Sequence, residues 1–141
     1  MRYCVVAVGR MRDAALRATA DEYAKRVRRY THLEEREVKD EARLIGAIPE
    51  SARLVALSRE GEPWTSRDLS RWTALWDQEG REVVLAIGGA DGLPGPVLER
   101  AEQVWSLSAM TFPHELARVI VLEQLYRAFT IRRGEPYHRE P

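Results

Sequence analysis

Short apolar runs alternate with amphipathic stretches along the chain, and the two periods predict a strand–helix alternation. Residues 3–8, Tyr-Cys-Val-Val-Ala-Val, form a mostly apolar run ended by Gly9, the pattern of a buried strand. Over 13–29, Leu16, Ala20, Tyr23, Ala24 and Val27 recur at three- and four-residue spacing with Arg and Glu between them, which predicts a helix with one buried face. Residues 33–38 read as a second, exposed strand because Glu34, Glu35 and Arg36 interrupt it, and a short helix is expected over about 40–47, before Pro49. Residues 53–57 read as a buried strand, and Gly61, Pro63 and Thr65 mark a loop after it. Thr65 with Asp68 resembles a capping box opening a helix over 66–78, with Gly80 as its stop. Residues 82–87 form the clearest strand, and it runs into Gly88-Gly89. A short helix over 96–103, a last strand over 104–107, a long helix over 113–131 with Pro113 in its first turn, and a polar tail complete the pattern.

Strands that alternate with helices predict an α/β domain whose sheet is mostly parallel. Ligands of such sheets bind at the carboxyl ends of the strands. That rule singles out three loops: Ser58–Trp64, Gly88–Pro96 and Ser108–His114. The 141 residues fit a single domain, 1–141, and 45% hydrophobic content is enough to fill its core.

Charge and cysteine content narrow the class. The 22 basic and 22 acidic residues cancel, whereas an autonomous nucleic-acid binder usually carries a basic excess, so any contact with nucleic acid has to be local. Only Lys25 and Lys39 are lysines; the other basic residues are arginines, whose forks match phosphate geometry. Cys4, alone and inside an apolar run, reads as a buried inert thiol. No Cys/His spacing suits zinc, so no metal is expected. The first apolar run is too short for a signal peptide or a membrane span, which leaves a cytoplasmic protein with no membrane association as the expectation.

Four segments offer chemistry. Residues 87–93, Ile-Gly-Gly-Ala-Asp-Gly-Leu, bring a strand into two glycines. This is a tight turn needing positive φ or a loop that lets backbone approach a ligand; it is neither GxGxxG nor a P-loop. Residues 105–114, Trp-Ser-Leu-Ser-Ala-Met-Thr-Phe-Pro-His, alternate small hydroxyl and apolar side chains before a helix, as a capped strand end or as a source of backbone amides. The long helix carries Leu116, Val119, Ile120, Val121, Leu122, Leu125, Tyr126, Ala128 and Phe129 around most of its circumference. Such a helix is buried on several sides, either centrally across the sheet or in a homodimer. The tail Tyr137-His138-Arg139 holds in a row the side chains suited to base stacking, proton transfer and phosphate contact.

Taken together these segments resemble one family. Ile87-Gly88-Gly89 with Asp91-Gly92-Leu93, the run Trp105-Ser106-Leu107-Ser108 through Pro113-His114, Leu125-Tyr126-Arg127-Ala128 and the terminal Pro136-Tyr137-His138-Arg139-Glu140 are similar to the bacterial 23S rRNA pseudouridine N3-methyltransferases of the SPOUT superfamily. Val6-Ala7-Val8-Gly9 and Glu22-Tyr23 fit as well. The resemblance implies a deep C-terminal trefoil knot, a homodimer through the C-terminal helix, S-adenosyl-L-methionine (SAM) as methyl donor, and 23S rRNA within the ribosome as partner. Carried over by position, Leu57, Gly88, Leu107, Ser108, Ala109, Met110, Thr111 and Phe112 would hold SAM. Tyr137, His138 and Arg139 would form the catalytic tail, with His114 and Arg127 nearby and one subunit's tail reaching the other's knot. Two features depart from the family pattern: Ser58 follows Leu57 where Asp is usual, and the stretch from Val38 to Arg53 is short.

Two other readings compete. A non-catalytic RNA- or ribosome-binding protein on the same scaffold would need neither the glycine pair nor the tail. A small-molecule nucleotide-binding α/β enzyme would need a phosphate loop after the first strand, for which Gly9-Arg10-Met11-Arg12 is poor material.

Overall fold

A computed structural model describes residues 2–140. Five strands form one wholly parallel sheet: β1 (Arg2–Val8), β2 (His32–Val38), β3 (Arg53–Pro63), β4 (Val83–Ile87) and β5 (Gln103–Ser106), in the order β2-β1-β4-β3-β5. The helices are α1 (Ala14–Val27), α2 (Ser66–Glu79), α3 (Gly95–Arg100) and α4 (His114–Arg132).

The apolar strands sort their side chains by the two-residue period of extended backbone. Tyr3, Val5 and Ala7 of β1, with Val83, Leu85 and Ile87 of β4, face α1, α2 and α4. Cys4, Val6, Val84 and Ala86 face the opposite way, toward Leu44, Ile48 and Val97. Both faces are covered, so β4 and all of β1 after Arg2 are apolar, while β2, at an edge, keeps its charges. The capping box is present: Thr65 Oγ1 accepts from the Asp68 amide at 3.0 Å and Asp68 Oδ2 from the Thr65 amide at 2.8 Å. Gly80 ends α2 in the left-handed region at φ 79°.

Three predicted elements differ. The region after Leu57 is not a simple loop, because β3 resumes and pairs Glu62 with Trp105 and Pro63 with Ser106 after a register shift. Gly61 permits this, since a Cβ there would stand 2.4 Å from the Val104 carbonyl oxygen. The expected helix over 40–47 is two 3-10 turns, Glu41–Arg43 and Ile45–Ala47, the first capped by Asp40. The helix expected over 96–103 stops at Arg100, and β5 already begins at Gln103.

Within the chain the last helix packs centrally. α4 lies against α1 and α2, with Val121, Leu122, Leu125 and Ala128 fully buried. Its outward positions, among them Ile120, Glu123 and Arg127, are half-buried. Arg118 on its inner side is 3% exposed and pairs with Glu37 at 2.7 Å and Glu35 at 3.2 Å, which ties α4 to the edge strand β2.

The parallel sheet points the ends of β1, β3, β4 and β5 one way. The chain leaves β5 at one edge and must cross that end to reach α4 between α1 and α2.

Candidate active site

At that end lies an open cavity of about 880 Å³, within the size range of small-molecule sites. Its walls are residues 57–60 of β3, the turn 87–93 after β4, and the crossing segment 105–114, so all three loops singled out by the carboxyl-end rule contribute. Leu98 of α3 and Ala117 of α4 complete it.

The glycine turn is built for close approach. Gly92 adopts φ 78° and donates its amide to the Gly89 carbonyl at 3.0 Å, closing the turn. Positive φ therefore belongs to Gly92 and not to the Gly88-Gly89 pair. Gly88 is required for space: a Cβ would meet the Gly92 carbonyl carbon at 2.4 Å and its oxygen at 2.5 Å. In the crossing segment, Ser106 Oγ donates to the Ser108 carbonyl at 3.0 Å, and Ser108 Oγ accepts from the Met110 amide at 3.0 Å. The hydroxyls brace the segment's own backbone, and the wall carries small, apolar and backbone groups with charge (Arg59, Glu60, Asp91) only at exposed positions.

Seven of the eight residues placed by resemblance at the cofactor line this cavity: Leu57, Gly88, Leu107, Ser108, Met110, Thr111 and Phe112. Ala109 does not; it is exposed at the turn of the crossing segment. Ser58, where the family usually has Asp, lines it too.

The expected catalytic residues divide into two places. His114 lines the cavity at the first turn of α4. Tyr137 and His138 instead fold back on the later part of α4, where Arg127 meets them. Within one chain His114 and the tail are therefore held apart along α4. Tyr137 packs edge-on to Tyr126 at 4.6 Å between ring centres, and the Arg127 guanidinium lies 4.8 Å from the Tyr137 ring centre. The Tyr137 hydroxyl donates to Glu123 at 2.7 Å. Burial first, and then this hydrogen bond to a carboxylate, push the phenol well above its ordinary value, so it remains a donor. Arg127 donates to the same Glu123 through Nε at 3.1 Å and Nη2 at 2.7 Å, and through Nη1 to His138 Nδ1 at 3.1 Å. His138 Nε2 meets Glu140 at 2.9 Å, and Arg67 of α2 donates to Glu140 at 2.7 Å. Arg139 is exposed and has no hydrogen bond or ion pair with a described residue.

Glu123 and Glu140 are the residues that sequence reasoning missed. Glu123 had a signal, its four-residue spacing to Arg127 on one helix face. Glu140 had only its place two residues after His138. Among the described residues no cluster of His, Cys, Asp and Glu suits a metal ion.

Comparisons with known proteins now bear on this geometry. A family model described as predicted SPOUT methyltransferase matches residues 1–138. A ribosomal RNA large subunit methyltransferase H from Anaeromyxobacter sp. (strain Fw109-5) is 44% identical, over 99% of this chain and 100% of that one. Among solved structures, a probable methylase family protein from Haemophilus influenzae Rd KW20 superposes with a TM-score of 0.66 at 10% identity, covering 98% of this chain and 70% of that one. The Legionella pneumophila protein Lpg2936, solved with the bound cofactor SAM, gives 0.50 at 11% identity, covering 91% and 66%. These structures share the fold, and the near-full-length sequence match carries the assignment: the chain belongs to the SPOUT methyltransferase family.

Proposed function

We propose that this chain is a SAM-dependent RNA methyltransferase that methylates N3 of a pseudouridine in 23S rRNA, on the assembled ribosome and as a cytoplasmic homodimer. Family membership supports methyl transfer to RNA. The observation that carries the finer reading is the cavity where the three carboxyl-end loops meet, with the tail cluster on the same helix that closes it. The deep C-terminal trefoil knot implied by the family resemblance belongs to the same reading.

The cavity suits the cofactor. Its volume of about 880 Å³ accommodates a folded nucleoside–amino acid, and Gly88 on its wall lets the 88–93 turn close, since a Cβ there would strike the Gly92 backbone. Leu57, Gly88 and residues 107–112 would hold SAM, with Ala109 contributing backbone at most. When bound, SAM supplies an electrophilic methyl group. The protein's task is then alignment and proton removal, since a ring N–H is a poor nucleophile until its proton leaves. His138 is the group to take that proton, Arg139 the free cation for a phosphate or a developing anion, and Tyr137 a stacking face for the base. Arg127 holds His138 and Tyr137 in place. His114, on the cavity wall, acts at the cofactor end.

Methyl transfer from labelled SAM to purified ribosomes lacking the modification, followed by nucleoside mass spectrometry, tests the proposal. N3-methylpseudouridine in large-subunit RNA is the expected product. No transfer to ribosomes, subunits or free RNA by folded protein would leave a binding protein on the same scaffold.

A further inference from the structure

We infer that Glu140 is a positioning residue: it holds the His138 imidazole through Nε2–H, so that Nδ1 is the accepting nitrogen and the Arg127 N–H occupies the place of a substrate donor. The inference rests on the reading of His138 as the proton acceptor.

The tautomer follows from what each partner can do. A guanidinium has N–H groups and no lone pair to offer, so Arg127 Nη1, 3.1 Å from His138 Nδ1, can only donate. Nδ1 must therefore carry its lone pair, and the proton of a neutral ring sits on Nε2. That nitrogen stands 2.9 Å from Glu140 Oε1, an acceptor. Both contacts are satisfied by this tautomer and by no other neutral one. Every charged group facing the ring fits the arrangement. From α4, Glu123 accepts from Nε and Nη2 of Arg127, at 3.1 and 2.7 Å. From the first turn of α2, Arg67 holds Glu140 at 2.7 Å. Within the tail, Tyr137 is turned toward Glu123, and Arg139 is exposed. The His138 side chain is 12% exposed, so these two contacts define its orientation, while Glu140 itself is half exposed.

A substrate ring N–H that displaces Arg127 would meet Nδ1 as an acceptor. The N–H bond then breaks, its proton passes to Nδ1, and the electron pair stays on the substrate nitrogen. The resulting imidazolium has the Glu140 carboxylate on Nε2, as the carboxylate of a hydrolase triad flanks its histidine. Arg127 yields Nδ1 without losing its counter-charge, because Glu123 retains it. The proton leaves later to solvent.

Two measurements test this. Long-range proton–nitrogen NMR of the histidine rings at neutral pH should show His138 as the Nε2–H tautomer in the ligand-free protein; a dominant Nδ1–H form overturns the inference. In methyl-transfer assays on ribosomes, Glu140→Gln should lower kcat by about tenfold, part of the hundredfold or more typical of a general base. It should also move the acidic limb of the pH–kcat profile to lower pH, because removing a carboxylate makes the imidazole easier to deprotonate. Glu140→Asp should restore part of the rate, and SAM affinity by calorimetry should not change. A mere anchor would lower the rate with the limb in place, and an unmoved limb overturns the inference. Loss of the proposed function is distinguishable: there the wild type transfers no methyl, or His138→Ala transfers it normally.

Discussion

His114 and Arg127 stand on one helix thirteen residues apart, so roughly 20 Å of α4 separates the cavity wall from the docked tail. A group acting at His114 and a base docked at Arg127 are kept apart by that length of helix within one chain. Two copies solve the problem if each tail serves the other's cavity.

The test is complementation. A Gly88→Val chain lacks the cavity and a His138→Ala chain lacks the base. Mixed and allowed to exchange, they should recover about a quarter of wild-type activity, since half of randomly formed dimers are mixed and each has one intact site. Sedimentation should show dimers. No recovery in a mixture that sediments as dimers would put the whole site in one chain.

Gly88 gives a sharper probe of the cavity itself. Even one methyl group there would press on the Gly92 backbone, 2.4 Å away. Gly88→Ala should weaken SAM binding at least about tenfold by calorimetry, whereas Gly95→Ala, whose Cβ meets open space, should leave it unchanged.

The pairs of Arg118 predict a pH effect on stability. Burial opposes ionisation of Glu37, but hydrogen bonds from the Met11 amide and from Arg118 outweigh it and hold the carboxyl below its ordinary 4.5. A depressed carboxyl stabilises the fold fully above that ordinary value and stops doing so as pH falls through the lower folded one. Arg118→Met should cost about 2–3 kcal/mol in urea unfolding at neutral pH, less than a fully buried pair because Glu37 is 26% exposed. The deficit should shrink below pH 4.5. A deficit independent of pH would assign the loss to packing.

Cys4 is 2% exposed, and burial pushes its thiol up to about 11. At pH 8 it should react with a disulfide reagent only in denaturant; labelling of the native protein within minutes would mean that the sheet opens locally.

The strands β1 and β4 were legible because a run buried on both faces needs no partner to be recognised. α2 was legible because its cap lies within four residues, Thr65 to Asp68. The second half of β3 was not, because its cause lies about forty residues away: Gly61 is flat against Val104, and only that contact distinguishes it from a turn glycine. The candidate site divided in the same way. The loops of the cavity follow from a rule about strand ends, which acts on order in the chain. His114 was placed near the tail by resemblance, and helix rise separates the two along α4 within one chain. Glu140 became visible only once Nε2 of His138 had a position.

The place of α4 also bears on how the protein is made. Its buried side seals the face formed by Tyr3, Val5, Leu85 and Val55, residues that emerge from the ribosome much earlier. Until residues 114–132 are synthesised, that greasy surface lacks the cover of α4, so folding of the central sheet waits for that helix. A chain truncated before residue 114 should therefore expose this face and fail to form a smaller folded domain.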